Sequence, residues 1–372
     1  MLIKYFIKKL TKKNYPVISK NYCLSNINRF SECSRCRDVC PVKAIKYEED
    51  NIVINENICS GCGICRTICP SKAINLKSFG EISAFNEAKQ KDFLVVGCVK
   101  EGNKGNIKFP CLHGLHKEYL AAFIIILRNR KVYFNLSECT ECIYGKDCNA
   151  FQNSLEKVVL FLKNLNINPD YEILNDSEKK ITYPKNQFSR RDFFSLIKKE
   201  STYLVADIVL NSIKTDNNDE FNERKFLIDT IKNLGCIEEQ LLDKDNGMFT
   251  SYNLNSKCNG CGVCEAVCPW NAWEVKEDKE QVSIKHSISL CRSCGICTSM
   301  CLEKAIQEEP FPLHSIFKDF IIKKEISLAY CKYCWDKYVP GTKDLGICNK
   351  CEKMNNIRMS LKYNDIIGGD EI

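Results

Sequence analysis

The grouping of its cysteines constrains this chain more than any other feature. There are 26 in 372 residues, and they cluster tightly, with neighbours again and again separated by two residues. Disulfide frameworks close loops between scattered positions, whereas thiols this crowded suit metal ligation in a reducing compartment. Comparing the chain with itself finds four copies of one run. CSRCRDVCPVKAI starts at residue 33 and CSGCGICRTICPSKAI at 59, while CNGCGVCEAVCPWNAW starts at 258 and CRSCGICTSMCLEKAI at 291. They form two tandem pairs far apart in the chain. Within each pair lies a short alternating segment with a polar turn, IKYEEDNIVIN at 45–55 and WEVKEDKEQVSIK at 273–285. Both segments predict β-hairpins.

The complete runs read Cys-x2-Cys-x2-Cys-x3-Cys. This spacing wraps three thiolates around one four-iron cube and sends the fourth cysteine to a neighbouring cube. On these motifs residues 30–75 and 255–307 resemble bacterial two-cluster ferredoxins. The resemblance implies [4Fe-4S] clusters and an exchange of fourth ligands within each pair. Cys258, Cys261 and Cys264 then pair with Cys301, while Cys291, Cys294 and Cys297 pair with Cys268. In the first module Cys59, Cys62 and Cys65 pair with Cys40. Leu302 stands where proline is usual, which alters the exit turn and not the ligand count. Zinc at these positions is disfavoured by the spacing.

The first run, FSECSRCRDVCP, is one thiol short, because Phe30 occupies the position of its first cysteine. Cys33, Cys36 and Cys69 therefore lack a fourth partner. Cys23, nine residues ahead of Cys33 in a stretch with Ser25, Asn26 and Asn28, is expected to loop back as the remote ligand. The competing reading is a three-iron cluster, or a cube with a non-cysteine ligand, with Cys23 a bystander.

Between the modules the pattern changes. FLVVGC at 93–98 and KVYFNL at 131–136 read as strands, while 115–127 and SLEKVVLFLKNL at 154–165 read as helices. Strands alternating with helices predict a small α/β unit with parallel strands. Cys98 would end the first strand and Cys139 follow the second, at the carboxyl ends where open α/β sheets hold ligands. Residues 109–148, with FPCLHGL and KVYFNLSECTECIYGKDC, resemble the small iron–sulfur subunit of methyl-viologen-reducing hydrogenases. That subunit joins a hydrogenase to a partner reductase, although the family's second Cys-x2-Cys is missing here. For Cys98, Cys111, Cys139, Cys142 and Cys148 two readings stand open: a further cluster or metal site, or buried cysteines with one redox-active pair. His113 and His116 are expected at the surface of a helix start, and Cys236 as a buried small hydrophobe.

Near the end, Cys331-x2-Cys334 and Cys348-x2-Cys351 form two knuckles of zinc-ribbon spacing. CKYCWDKYVP and ICNKC are also similar to rubredoxin, which would place one iron there. Without rubredoxin's glycines, structural zinc is the expectation.

The net charge of +7 does not point to nucleic acid. Lys4, Lys8, Lys9, Lys12, Lys13, Lys20 and Arg29 account for all of it, and the remaining 47 basic residues balance 47 acidic ones. Four thiolate-ligated cubes would cancel the excess. The basic start is a solvated arm that offers peripheral contact to an anionic membrane surface. SRRDFF at 189–194 looks like a twin-arginine signal, but it sits mid-chain and lysines follow it, so a helix start is expected. No secretory leader is legible, and the longest apolar run, YLAAFIIIL at 119–127, is too short for a membrane helix, so a cytoplasmic protein is expected.

The expected architecture is α+β and multidomain. A basic arm (1–22) precedes a two-cluster module (23–80), a small α/β domain (90–170) and a polar, partly helical connector (171–250). A second module (251–310), a zinc ribbon (325–355) and a tail (356–372) complete it. The expected function is relay of single electrons between redox protein partners through four [4Fe-4S] clusters. The alternative is an oxidoreductase subunit with an extra cluster or redox cysteine site in the middle domain. With four histidines and no nucleotide-binding glycine loop, the relay is favoured.

Overall fold

A computed structural model describes residues 15–28, 31–48, 51–76, 79–100, 102–175, 221–235, 240–340 and 346–357. Phe30, the SRRDFF helix start, Cys236, most of the basic arm and connector, and the tail from 358 lie outside the described residues. Contacts divide the chain into two units: residues 1–250 with 291–294 and 310–317, and residues 251–290 with 295–309 and 318–372.

Among the described residues the first unit opens on a strand, within the last part of the expected arm. β1 (Val17–Ile18) precedes a short helix α1 (Leu24–Ile27) and another, α2 (Arg35–Asp38). β2 (Ile45–Glu48) and β3 (Asn51–Ile54) form the expected antiparallel hairpin, Ile45 opposite Ile54. After α3 (Ile64–Ile68), β4 (Ile74–Asn75) returns antiparallel to β1, so the module is entered by residue 17. Cys23, Cys36, Ile45, Ile52, Cys65, Ala73 and Ile74 share one buried cluster. The apolar alternation of the hairpin therefore packs against thiols and needs no large core of its own.

The middle of this unit is an α/β layer. α4 (Glu81–Gln90) leads into β5 (Leu94–Cys98), and β6 (Ile107–Phe109), β7 (Val132–Asn135) and β8 (Tyr171–Leu174) complete an all-parallel sheet in the order β6-β5-β7-β8. α5 (Lys117–Ile126), buried from Glu118 to its end, and α6 (Ala150–Asn164) connect the strands. A near-continuous apolar run is what a strand or helix covered on both sides requires. α7 (Glu223–Lys232), from the connector, packs Phe226, Leu227 and Ile231 into the same core, where Phe226 stacks on Tyr119 of α5. A short pair, β9 (Leu241–Leu242) with Phe311–Pro312, closes the unit.

The second unit repeats the module on a larger sheet. β10 (Ser251–Leu254) pairs with Ile306–Glu309, and the expected hairpin is β11 (Trp273–Glu277) with β12 (Gln281–His286). Residues Ile321–Ser327 add a third antiparallel strand beyond β12, absent from the sequence reading because IIKKEIS shows no regular apolar–polar alternation. The knuckles follow, with Ala329–Tyr330 paired to Lys337–Tyr338. Among the described residues, no helix is long and apolar enough to cross a membrane.

Candidate iron–sulfur and metal centres

The incomplete run of the first module acquires a fourth thiol. Cys23, Cys33, Cys36 and Cys69 line one small cavity of about 20 Å³, walled by Ile18, Leu24, Ile52 and Pro70. Cys23 is buried at the N-terminus of α1, and Ser25 Oγ donates to the Cys33 carbonyl at 2.9 Å, which ties the remote segment to the run. The expected loop around Cys23 is instead a turn of 3-10 helix and α1, a tighter way of bringing the same thiol back. Burial, reinforced by the neighbouring Cys69, Cys23 and Cys33, pushes the Cys36 thiol up to about 11. A second cavity of about 20 Å³ is lined by Cys40, Cys59, Cys62 and Cys65. There burial pushes the Cys65 thiol up, with Cys62 its strongest thiol neighbour.

In the second unit Cys258, Cys261, Cys264 and Cys301 line a cavity of about 150 Å³ with Leu254, Ile284 and Ile306. Burial pushes the Cys264 thiol up to about 12, with Cys297, Cys258 and Cys261 adding to it. Cys268 and Cys297 lie in the same unit, whereas Cys291 and Cys294 fall with the first; these four are grouped by the exchange rule alone. Thiols held this high stay protonated at neutral pH, so a thiophilic metal must displace the proton to bind.

One feature common to all four runs escaped the sequence reading. The Sγ of each fourth cysteine accepts the backbone N–H four residues on: Ala44 to Cys40 at 3.2 Å, and Ala73 to Cys69, Ala272 to Cys268 and Ala305 to Cys301 at 3.3 Å. The residue before each alanine is left-handed, with φ of 52° at Lys43, 53° at Lys72, 50° at Asn271 and 49° at Lys304. A non-glycine residue is rarely found there, and its recurrence marks a built turn. The signal was present as Lys-Ala or Asn-Ala in all four copies. Such N–H···S bonds stabilise a thiolate and set its direction toward a metal.

The middle-domain cysteines also converge. Cys98 ends β5, Cys139 follows β7, and together with Cys111 and Cys142 they line a cavity of about 510 Å³ at the carboxyl edge of the parallel sheet. Asn135, Glu138, Glu141 and Lys100 share its wall. Cys148 is not part of that wall but lies close enough to help raise Cys139, which burial, then Cys98 and Cys142, push up to about 11. Successive turns, Cys142 N to Cys139 O at 3.2 Å and Cys148 N to Gly145 O at 3.1 Å, coil this stretch.

His113 and His116 do stand at a helix start, but both are buried and neither is at the surface. His113 Nδ1 accepts from Phe151 N at 3.3 Å, and His116 Nδ1 caps α5 by accepting from Glu118 N at 3.3 Å. Polar residues before an apolar helix look solvated in sequence; here the ring nitrogens satisfy backbone donors that burial would otherwise orphan.

The knuckle sulfurs of Cys331, Cys334, Cys348 and Cys351 all lie within 4.8 Å of one another, the only such group of metal-ligating side chains among the described residues. Burial opposes ionisation of Cys331, yet the N–H groups of Cys348, Cys334 and Tyr333 outweigh it and hold that thiol down to about 6. Four convergent sulfurs in two knuckles fit one tetrahedral ion.

Residues 257–305 match the family of 4Fe-4S dicluster domains, and residues 30–79 match the LdpA Fe-S cluster-binding domain. No curated protein matches the chain. Both matches fall on the cysteine modules, so the chain is an iron–sulfur protein of mixed helices and sheets.

Proposed function

We propose that the chain is an electron-transfer protein holding four [4Fe-4S] clusters, which pass single electrons between redox protein partners. The observation that carries this reading is that thiols paired by ligand exchange, from runs distant in sequence, border common cavities in both modules. A bound cluster supplies one-electron storage at low potential. The chain's residues hold it with thiolates, orient those thiolates with the four alanine N–H groups, and exclude water with the hairpin isoleucines.

Cys23 is assigned as the fourth ligand beside Cys33, Cys36 and Cys69. Anaerobically loaded protein should hold roughly 16 irons in the two modules, and Cys23→Ala should lose about one of them on mild oxidation. The oxidised variant should then show the paramagnetic signal of a three-iron cluster, while oxidised wild type stays silent. A full-strength three-iron signal in wild type would make Cys23 a bystander.

The C-terminal knuckles are assigned to structural zinc. Cys348→Ser should remove one zinc and leave the iron content unchanged; loss of one iron with zinc absent would make the site rubredoxin-like.

The middle cavity favours a second reading beside the relay, an oxidoreductase subunit with a fifth thiolate-bound iron–sulfur centre. Its volume lies in the range of cofactor and small-molecule pockets, well above those of the first module's thiol sets. Cys98→Ser with Cys139→Ser should lower total iron from roughly 18–20 to 16 if that centre exists.

A further inference from the structure

The wall of the middle cavity is not built by the α/β domain alone. Ser60 and Cys62 of the first ferredoxin module line it together with Cys98, Cys111, Cys139 and Cys142. Cys62 also borders the small cavity of Cys40, Cys59 and Cys65. One residue of a cluster-ligand set is thus a wall of two thiol cavities at once.

The contact is built rather than incidental. Gly114 lies in the turn after Cys111, and a Cβ there would collide with the Cys62 carbonyl oxygen and the Phe79 ring. Only glycine lets the two backbones approach so closely. Thr67 Oγ1, in the run that carries Cys62, donates to the His113 carbonyl at 3.2 Å, and His113 is anchored in turn by Phe151 N.

We propose that Cys62 and Cys111 form the shared wall of a two-centre site, through which the centre in the middle cavity exchanges electrons with the first ferredoxin module. This rests on the fifth centre proposed above. The exchange moves one electron, leaving the first-module centre oxidised and the cavity centre reduced, with no bond made or broken and no proton transferred. The electron enters from a low-potential one-electron donor outside the chain, and the cavity centre is its first stop beyond the module.

The test is a redox titration of the full-length protein with dithionite, followed by electron paramagnetic resonance. The cavity signal is identified as the one lost in Cys98→Ser with Cys139→Ser. Neighbouring cubes are diamagnetic when oxidised and paramagnetic when reduced, so their reduction should raise the microwave power that half-saturates the cavity signal several-fold. That rise should persist when Cys258→Ser and Cys291→Ser strip the second module. It should shrink in Gly114→Val at unchanged iron content. A cavity signal whose saturation ignores the state of the cubes, or a rise that vanishes with the second module, overturns the shared wall and leaves the fifth centre standing. Iron that stops at the four-cube count, with no signal lost in the cavity variant, overturns both.

Discussion

Glu118→Ala is expected to destabilise the chain by about 3–5 kcal/mol, the cost of leaving buried charges without their counter-ion. Glu118 is 1 % exposed at the start of α5 and accepts from Arg224 at 2.6 Å and from Lys72. Lys72 and Arg66 come from the first module, Glu81 from α4, and Glu223 with Arg224 from α7. Arg66 reaches Glu81 at 2.6 Å and Glu223 at 2.9 Å, and Lys72 reaches Glu223 at 3.5 Å. Removing Glu118 takes that ion pair from Arg224, which keeps the face of Phe249 at 4.4 Å, and leaves Lys72 with Glu223. The exposed Glu87–Lys91 pair at 4.0 Å supplies the control, since Glu87→Ala should cost less than about 0.5 kcal/mol. Urea denaturation of both variants reads the difference, and equal costs would show that the network is solvated.

Acidification from pH 7 to pH 5 should lower the stability of the chain, by about 2 kcal/mol for each imidazole that must stay neutral when folded. His116 is lowered to about 3 by burial and then by Lys72, against the opposing pull of Glu118. His286, fully buried between Trp273 and Tyr252 with neither nitrogen hydrogen-bonded, is likewise lowered to about 3 by burial, then by Lys323. A depressed imidazole gives the unfolded chain the higher proton affinity. The stability is therefore whole above the unfolded pKa of about 6.5 and drains as pH falls toward 3. His116→Asn keeps an N-cap acceptor while removing the titration, and should flatten the urea midpoint over this range by His116's share. An unchanged slope would mean that His116 is protonated in the folded chain.

What the sequence made legible follows from how local each signal is. Both hairpins and the alternation read at 93–98, 115–127, 131–136 and 154–165 rest on spacing within a few residues, and strands and helices form there, the last helix starting earlier, at Ala150. β6 was missed because Ile107–Phe109 is three residues inside a Gly- and Asn-rich loop, too short for any period to register. The ion network was invisible because its members, Arg66, Lys72, Glu81, Glu118 and Glu223, lie far apart in sequence and each reads as an ordinary surface charge. The left-handed turns hid behind lysine and asparagine, which do not announce positive φ as glycine does. Cys111 showed no spacing partner, and only the sheet brings it to Cys98 and Cys139.

The sulfur-accepting turn has a consequence for how the protein matures. Under the exchange of ligands proposed above, the turn that orients Cys40 belongs to the first run but serves the metal of the second, and the turn at Cys69 does the reverse. Neither half of a module then completes its own coordination without the other half being folded. Iron insertion becomes cooperative, and a half-filled module is short-lived against both the empty and the full forms. A cell assembling this chain would accordingly meet few partly loaded molecules to repair or discard.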